Sequence, residues 1–171
     1  YLDSLEMTAT IRGFEPLYIQ RIAQLTNKSN QFNLTTLRCS EDDIRAMAAD
    51  ADALCLCGKL VDKFGDNGIV TVVAGKRQGD LLDLTLWLMS CRVLKRGMED
   101  AMMDTLMAQA AAAGVKTVVG HYYPTAKNAM VRDFYAQFGF AKTAEDAEGN
   151  TEWRLEVSGY EPKHPHMKIE R

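Results

Sequence analysis

A thiol and three cationic or polar side chains crowd into one short stretch, Ser90-Cys91-Arg92-Val93-Leu94-Lys95, followed at once by Arg96-Gly97-Met98-Glu99. Residues 84–89 before it are apolar and β-prone, and the residues after Gly97 open a helix. A strand feeding a basic turn and a helix start makes an anion site. The N–H groups of the first helical turn lack partners inside the helix, and the helix dipole adds partial positive charge. Lys95 and Arg96 add full charges, and Gly97 opens the helix where a side chain would crowd a bound phosphate. The ligand suited to this geometry is a phosphate ester or a pyrophosphate. The same spacing also suits an ordinary α/β connection with solvated cations.

A second polar cluster, Asn27-Lys28-Ser29-Asn30-Gln31-Phe32-Asn33, favours a loop and can direct hydrogen bonds at a polar ligand. His121 and Asp133 are candidate bases, with nothing in the sequence tying them together. No Ser-His-Asp set is apparent. The cysteines Cys39, Cys55, Cys57 and Cys91 form no Cys-x-x-Cys pair, and no nearby Cys/His cluster suits zinc, so no metal is expected. Cys55 and Cys57 alternate on one strand face as small apolar groups. This usage fits a reducing, cytoplasmic compartment.

With 171 residues, 47% of them hydrophobic, the chain suits one globular domain with a sizeable core. A net charge of −3 argues against nucleic acid as the main partner. No apolar run approaches the roughly 18–20 residues of a membrane span, and no secretory signal is visible. The chain opens at Tyr1 rather than Met, so an excised domain is expected.

The elements that must position these residues follow from periodicity. Residues 2–12 alternate as a strand, and residues 16–26 carry apolar groups at helical spacing behind Pro16. Residues 34–39 read as a strand, and Ser40 with Asp43 as a helix cap. Residues 53–61 and 69–74 flank an Asn67-Gly68 turn signal, and Gln78-Gly79-Asp80 leads into a central strand at 81–89. A Met-rich helix ends at Gly114, and a strand follows at 115–122. Residues 126–138 read as a helix closed by Gly139, and strands at 140–143 and 151–157 complete the pattern. The unit from 81 to 122 should be parallel and right-handed. The expectation is α/β: a mixed sheet with helices on both faces, occupying 1–158 with a strand–helix extension at 1–33. The polar stretch 159–171 is expected to be a loosely ordered tail.

Two stretches together resemble the GNAT superfamily of acyl-coenzyme A N-acyltransferases. The Arg/Gln-x-x-Gly-x-Gly/Ala phosphate loop matches at Arg96 and Ala101, with Glu99 where glycine is usual; Asn128, Tyr135 and Gly139-Phe140 then fall at the family's intervals. A wider resemblance is to the C-terminal half of FkbH-like proteins. It is carried by Arg21-Ile22-Ala23-Gln24-Leu25-Thr26-Asn27-Lys28, by Asn30-Gln31-Phe32-Asn33-Leu34-Thr35-Thr36 and by Phe64-Gly65-Asp66-Asn67-Gly68. Ser90-Cys91-Arg92-Val93-Leu94 and Pro124-Thr125-Ala126-Lys127-Asn128 complete it. Those proteins join a phosphatase-type domain, here N-terminal to this chain, to a GNAT-like domain.

The resemblance implies a GNAT-like fold and a pantetheine thioester, carried by an acyl carrier protein or as acetyl-coenzyme A. A pantetheine arm would lie between two splayed strands, paired with the backbone of Cys91 and Val93, with a backbone N–H near Met89 to Cys91 facing the thioester oxygen. Arg96, Gly97, Met98, Ala101 and Asn128 would complete the arm's site, and Tyr135 would protonate the departing thiolate. Cys91 is a candidate covalent acyl acceptor, and Gln31, Asn33, Asp66 and Asn67 are candidates for recognising the acceptor or acyl group. Glu99 disfavours the pyrophosphate of coenzyme A and suits a carrier-borne arm better. The implied activity is acyl or glyceryl loading on a carrier protein; the alternatives are an acetyl-coenzyme A-dependent N-acetyltransferase and a non-catalytic module that docks the carrier.

Overall fold

The expected central strand is β4 (Leu81–Met89), in a computed structural model that describes residues 2–171; Tyr1 lies outside the described residues. The other elements are β1 (Thr8–Arg12), α1 (Ile19–Lys28), α2 (Glu41–Ala49), β2 (Ala53–Asp62), β3 (Gly65–Gln78), α3 (Met98–Ala112), β5 (Thr117–Tyr122), β6 (Ala141–Glu145), β7 (Thr151–Glu156) and β8 (Lys168–Glu170). The strands form one mixed sheet in the order β6-β7-β5-β4-β3-β2-β1-β8. The β4–β5 and β1–β8 pairs are parallel and the rest antiparallel. α3 covers one face over Leu82, Leu84, Trp87 and Met89. α1 and α2 cover the other over Val72, Leu86 and Leu88. The expected α/β architecture is therefore observed.

One irregularity shapes the molecule. Alternate residues of a strand face opposite sides, so Leu84 and Leu86 should share a face, yet they pack into opposite cores. The register explains this: Gly75 pairs with Leu84 and Ala74 with Leu86, leaving Thr85 as an extra residue. Such a bulge bends its strand and re-aims the side chains beyond it. Pairing with β5 runs only from Leu81↔Thr117 to Asp83↔Val119, ending just before the bulge. Past Thr85, β4 and β5 diverge.

Local rules hold where the partners are local. Ser40 Oγ accepts from Asp43 N at 3.1 Å and the Asp43 carboxylate accepts from Ser40 N at 2.8 Å, a complete capping box for α2, worth about 1 kcal/mol. Four expectations are corrected. Leu2–Leu5 forms a 3₁₀ turn, so the first strand starts only at Thr8. The β2–β3 turn is Lys63-Phe64, set by Asp62, whose carboxylate accepts from Phe64 N at 2.8 Å; Asn67-Gly68 lies within β3. Residues 126–138 break into two 3₁₀ turns, Ala129–Val131 and Tyr135–Phe138, linked by i→i−3 bonds such as Phe134 N to Val131 O at 3.1 Å.

The fourth correction is the tail. Tyr160 Oη, Lys163 N and His164 N all donate to the Asp104 carboxylate, at 2.5, 2.8 and 3.0 Å. The chain then returns as β8 alongside β1. No helix among the described residues is long and apolar enough to cross a membrane.

Candidate functional site

Beyond Met89 the chain turns sharply. Ser90 N donates to Val70 O at 2.7 Å, and Cys91–Val93 forms a 3₁₀ turn capped by Ser90 Oγ. The turn leaves Cys91 exposed, with its Sγ 3.2 Å from Gln31 Oε1. Around them opens a cleft of about 830 Å³, walled by α1, by residues 28–31 and by residues 89–92, with Lys127 at its rim. Its charged lining is Arg21, Lys28, Arg92 and Lys127, with no carboxylate among the lining residues. Arg38 fixes the loop by donating to Thr26 O, Ser29 O and Asn30 Oδ1. Sequence reasoning placed Gln31 and Cys91 here but missed Arg21, Lys28 and Lys127. Arg21 and Lys28 carried a signal: seven residues apart, they lie two turns apart on one helix face.

The splay between β4 and β5 is filled by the chain itself. Residues 34–39, expected as a strand, instead belong to a segment that crosses it. Leu34 N donates to Trp87 O and Met89 N to Phe32 O, both at 3.0 Å, forming an antiparallel bridge between Asn33 and Leu88. Tyr123 N donates to Leu34 O at 2.9 Å on the other side, and Thr35 Oγ1 to Thr85 O at 2.8 Å. The bulge frees a strand edge, and this segment satisfies the backbone groups so exposed. It leaves the sheet at Thr36, which has φ 54°.

Asn128 locks this arrangement. Its amide donates to Asn33 O and Tyr123 O, both at 2.9 Å, and its oxygen accepts from Thr125 N at 2.8 Å and Tyr122 Oη at 3.3 Å. Asn33 is also buried, donating to Ser29 O and accepting from Thr36 N. The roles expected of Asn128 in the arm's site and of Asn33 in recognition are therefore corrected: both side chains are spent on internal bonds.

The phosphate loop is likewise occupied. Arg96 forms an ion pair with Asp62 at 2.5 Å. Gly97 has φ 88°, and a Cβ there would meet Pro165 and Met167 of the returning tail at 3.1 and 3.4 Å. Met98 and Ala101 are buried in the core, Met98 against Gly58. The Glu99 carboxylate sits in the first turn of α3; burial pushes its pKa up, against the bond from its own backbone N–H, with Asp100 raising it further. Among the described residues its Oε2 has no hydrogen-bond partner.

The remaining candidates scatter. Asp66 pairs with Lys59 at 2.9 Å, and Asn67 offers its backbone carbonyl to Arg92 at 3.4 Å. His121 meets Asp83 at 2.5 Å, not Asp133. That pairing spans the parallel strands β4 and β5, and no local signal announces it. Tyr135 is 1% exposed, its ring lying over Gly120 and edge-on to Trp87 at 6.3 Å. Burial, then the Asp83 charge, drive its hydroxyl pKa far above the ordinary value. It lines no part of the Cys91 cleft.

No family model and no curated protein matches the sequence. Solved structures do share its fold. The ribosomal-protein-S18-alanine N-acetyltransferase of Escherichia coli superposes with TM-score 0.65 at 14% identity, covering 87% of this chain and 94% of that one. Ard1 from Thermoplasma volcanium gives 0.66 at 18%, covering 87% and 97%. The spermidine N-acetyltransferase of Vibrio cholerae, solved with CoA and spermine, gives 0.64 at 10%, covering 88% and 96%. The chain shares the fold of these structures.

The Vibrio cholerae neighbour was solved with CoA, and the residues of this chain do not fit that ligand in the splay. Of the N–H groups from Met89 to Cys91, where the oxyanion donor was expected, Met89 N–H bonds to Phe32 O and Ser90 N–H to Val70 O. Val93 N–H bonds to Ser90 O, so Cys91 and Val93 present a closed turn rather than an extended edge. A carboxylate holds the first turn of α3, where the pyrophosphate would lie, and Pro165 covers Gly97.

Proposed function

We propose that this domain handles acyl groups delivered as pantetheine thioesters by an acyl carrier protein, and that it does so at the Cys91 cleft rather than through the splay. The observation that carries the reading is the exposed Cys91 thiol beside Gln31 at the mouth of a cationic cleft. The resemblance to FkbH-like proteins supplies the carrier protein and a neighbouring phosphatase-type domain as the expected context. In the transfer step the Cys91 sulfur attacks the thioester carbonyl carbon. A C–S bond to Cys91 forms, the bond to the pantetheine sulfur breaks, and the departing sulfur takes up the proton that Cys91 gives away. Gln31 orients the thiol.

A second reading is favoured by the filled splay: a GNAT-fold module that docks the carrier without chemistry. An N-acetyltransferase using acetyl-coenzyme A is disfavoured by the same observation. One experiment separates them. The protein is mixed with an acyl-loaded carrier protein and its intact mass is followed. Acyl transfer predicts an adduct of the acyl mass on the parent and none on Cys91→Ala. Carrier binding without an adduct establishes the docking reading. Neither binding nor adduct overturns both.

A further inference from the structure

The four cations of the cleft face one shared space whose lining holds no carboxylate. Arg21, Lys28, Arg92 and Lys127 have no carboxylate partner among the described residues, although the chain as a whole carries a net charge of −3. They come from three separate parts of the chain: α1, the turn after β4 and the loop after β5. Their polar neighbours are also arranged. Arg38 takes the Asn30 oxygen, which leaves the Asn30 amide hydrogens free to donate. Arg92 is aimed by Ser90 Oγ at 3.3 Å and by Asn67 O at 3.4 Å.

Like charges gathered without counter-charge cost free energy unless an anion joins them. We infer that this cleft binds a phosphate ester, with Arg21, Lys28, Arg92 and Lys127 as its cationic contacts and Asn30 as a neutral donor. Consistent with this, Arg21 has its pKa lowered, first by burial and then by the nearby charge of Arg92. Guanidinium groups suit phosphate through paired N–H donors, and the two lysines add point charge. The phosphate-binding role expected of the α3 N-terminus thus passes to the opposite face of the sheet, where α1 lies. The inference rests on the cleft assigned above, but not on any covalent step at Cys91.

Two sources carry this chemistry: the phosphodiester that tethers pantetheine to a carrier protein, and a free phosphorylated metabolite. Calorimetry on the whole chain would use 4′-phosphopantetheine, pantetheine and inorganic pyrophosphate, with Cys91→Ala as the background in every arm. Phosphopantetheine is expected to bind at least about tenfold more tightly than pantetheine, and Arg21→Gln and Lys127→Gln each to weaken it about tenfold. The affinity should fall as salt rises. Tight pyrophosphate binding with no added gain from the pantetheine arm supports the site and assigns it to a free phosphate ester. Equal binding of pantetheine and phosphopantetheine, together with no response to either substitution, overturns the inference. Acyl transfer can fail in the Cys91→Ala background without touching these outcomes.

Discussion

The side-chain amide of Asn128 donates to the backbone carbonyl of Asn33 at 2.9 Å, joining residues 95 positions apart in the chain. This bond fastens an internal segment into a gap that the sheet opens at Thr85. It converts a position expected to touch a ligand into a structural lock.

Asn128→Ala should therefore be a stability variant. It strips partners from several buried groups, each worth about 1–3 kcal/mol when left unpaired. A loss of about 3 kcal/mol in urea unfolding is expected, with faster hydrogen exchange at the Leu34 and Met89 amides. A variant as stable as the parent, with unchanged exchange, would show that the lock holds nothing.

Gly120 and Tyr135 should be coupled. A Cβ at Gly120 would lie 2.4–2.7 Å from three atoms of the Tyr135 ring. Overpacking of this kind costs about 1–3 kcal/mol, so Gly120→Ala should lower the melting temperature. Tyr135→Phe keeps the ring and should not rescue it; Tyr135→Leu should recover part of the loss. Additive effects in the double variants would break the proposed contact.

Glu99 gives a pH signature. Its folded pKa is raised above the ordinary 4.5 by burial, so the unfolded chain releases that proton first as pH rises. The contribution of Glu99 is then most favourable below the ordinary value and is lost as pH climbs through the folded pKa. Glu99→Gln should raise the melting temperature at neutral pH, with the gain shrinking toward about pH 4. Thermal melts across that range check the sign. Glu99→Gly should not create coenzyme A binding, because Phe32 and Pro165 remain in place.

Cys91 should be the one thiol that alkylates readily. Cys39 and Cys57 are buried, and Cys55 is half-buried. Burial pushes all three thiols up, Cys55 to about 11 and Cys57 to about 12. Brief iodoacetamide treatment at neutral pH should give a single adduct that maps to Cys91. Early modification of Cys55 would contradict the burial pattern.

The sequence displayed what is local. The Ser40–Asp43 cap, the β4 span and the glycine stops of α3 could all be read from neighbouring residues. Residues 34–39 looked like a strand because the run is β-prone, but among the described residues the bridge is made by Asn33 just before it, to Leu88 on an edge exposed by a bulge some fifty residues away. Nothing near Thr85 announces that bulge: Leu82-Asp83-Leu84-Thr85-Leu86 alternates apolar and polar as an unbroken strand would, and the apolar run from Leu86 to Met89 hides the change of face beyond it. Asp104 likewise gave no hint that it would gather the backbone of Lys163 and His164. Half of the cleft was legible through Gln31 and Cys91. Its cationic wall needed the fold to bring α1 beside the turn after β4.

The returning tail also decides how the sheet meets its surroundings. Without β8, the margin would be β1, five residues with buried Ala9 and Ile11 and an open row of backbone donors and acceptors. With it, the margin is three residues bearing Lys168 and Glu170, and the opposite margin is the fully exposed β6 with Lys142 and Glu145. Short, charged margins discourage strand addition between molecules. Lys168–Glu170 thus cover the β1 edge, and a protein shortened before Lys168 would expose that row of backbone donors and acceptors.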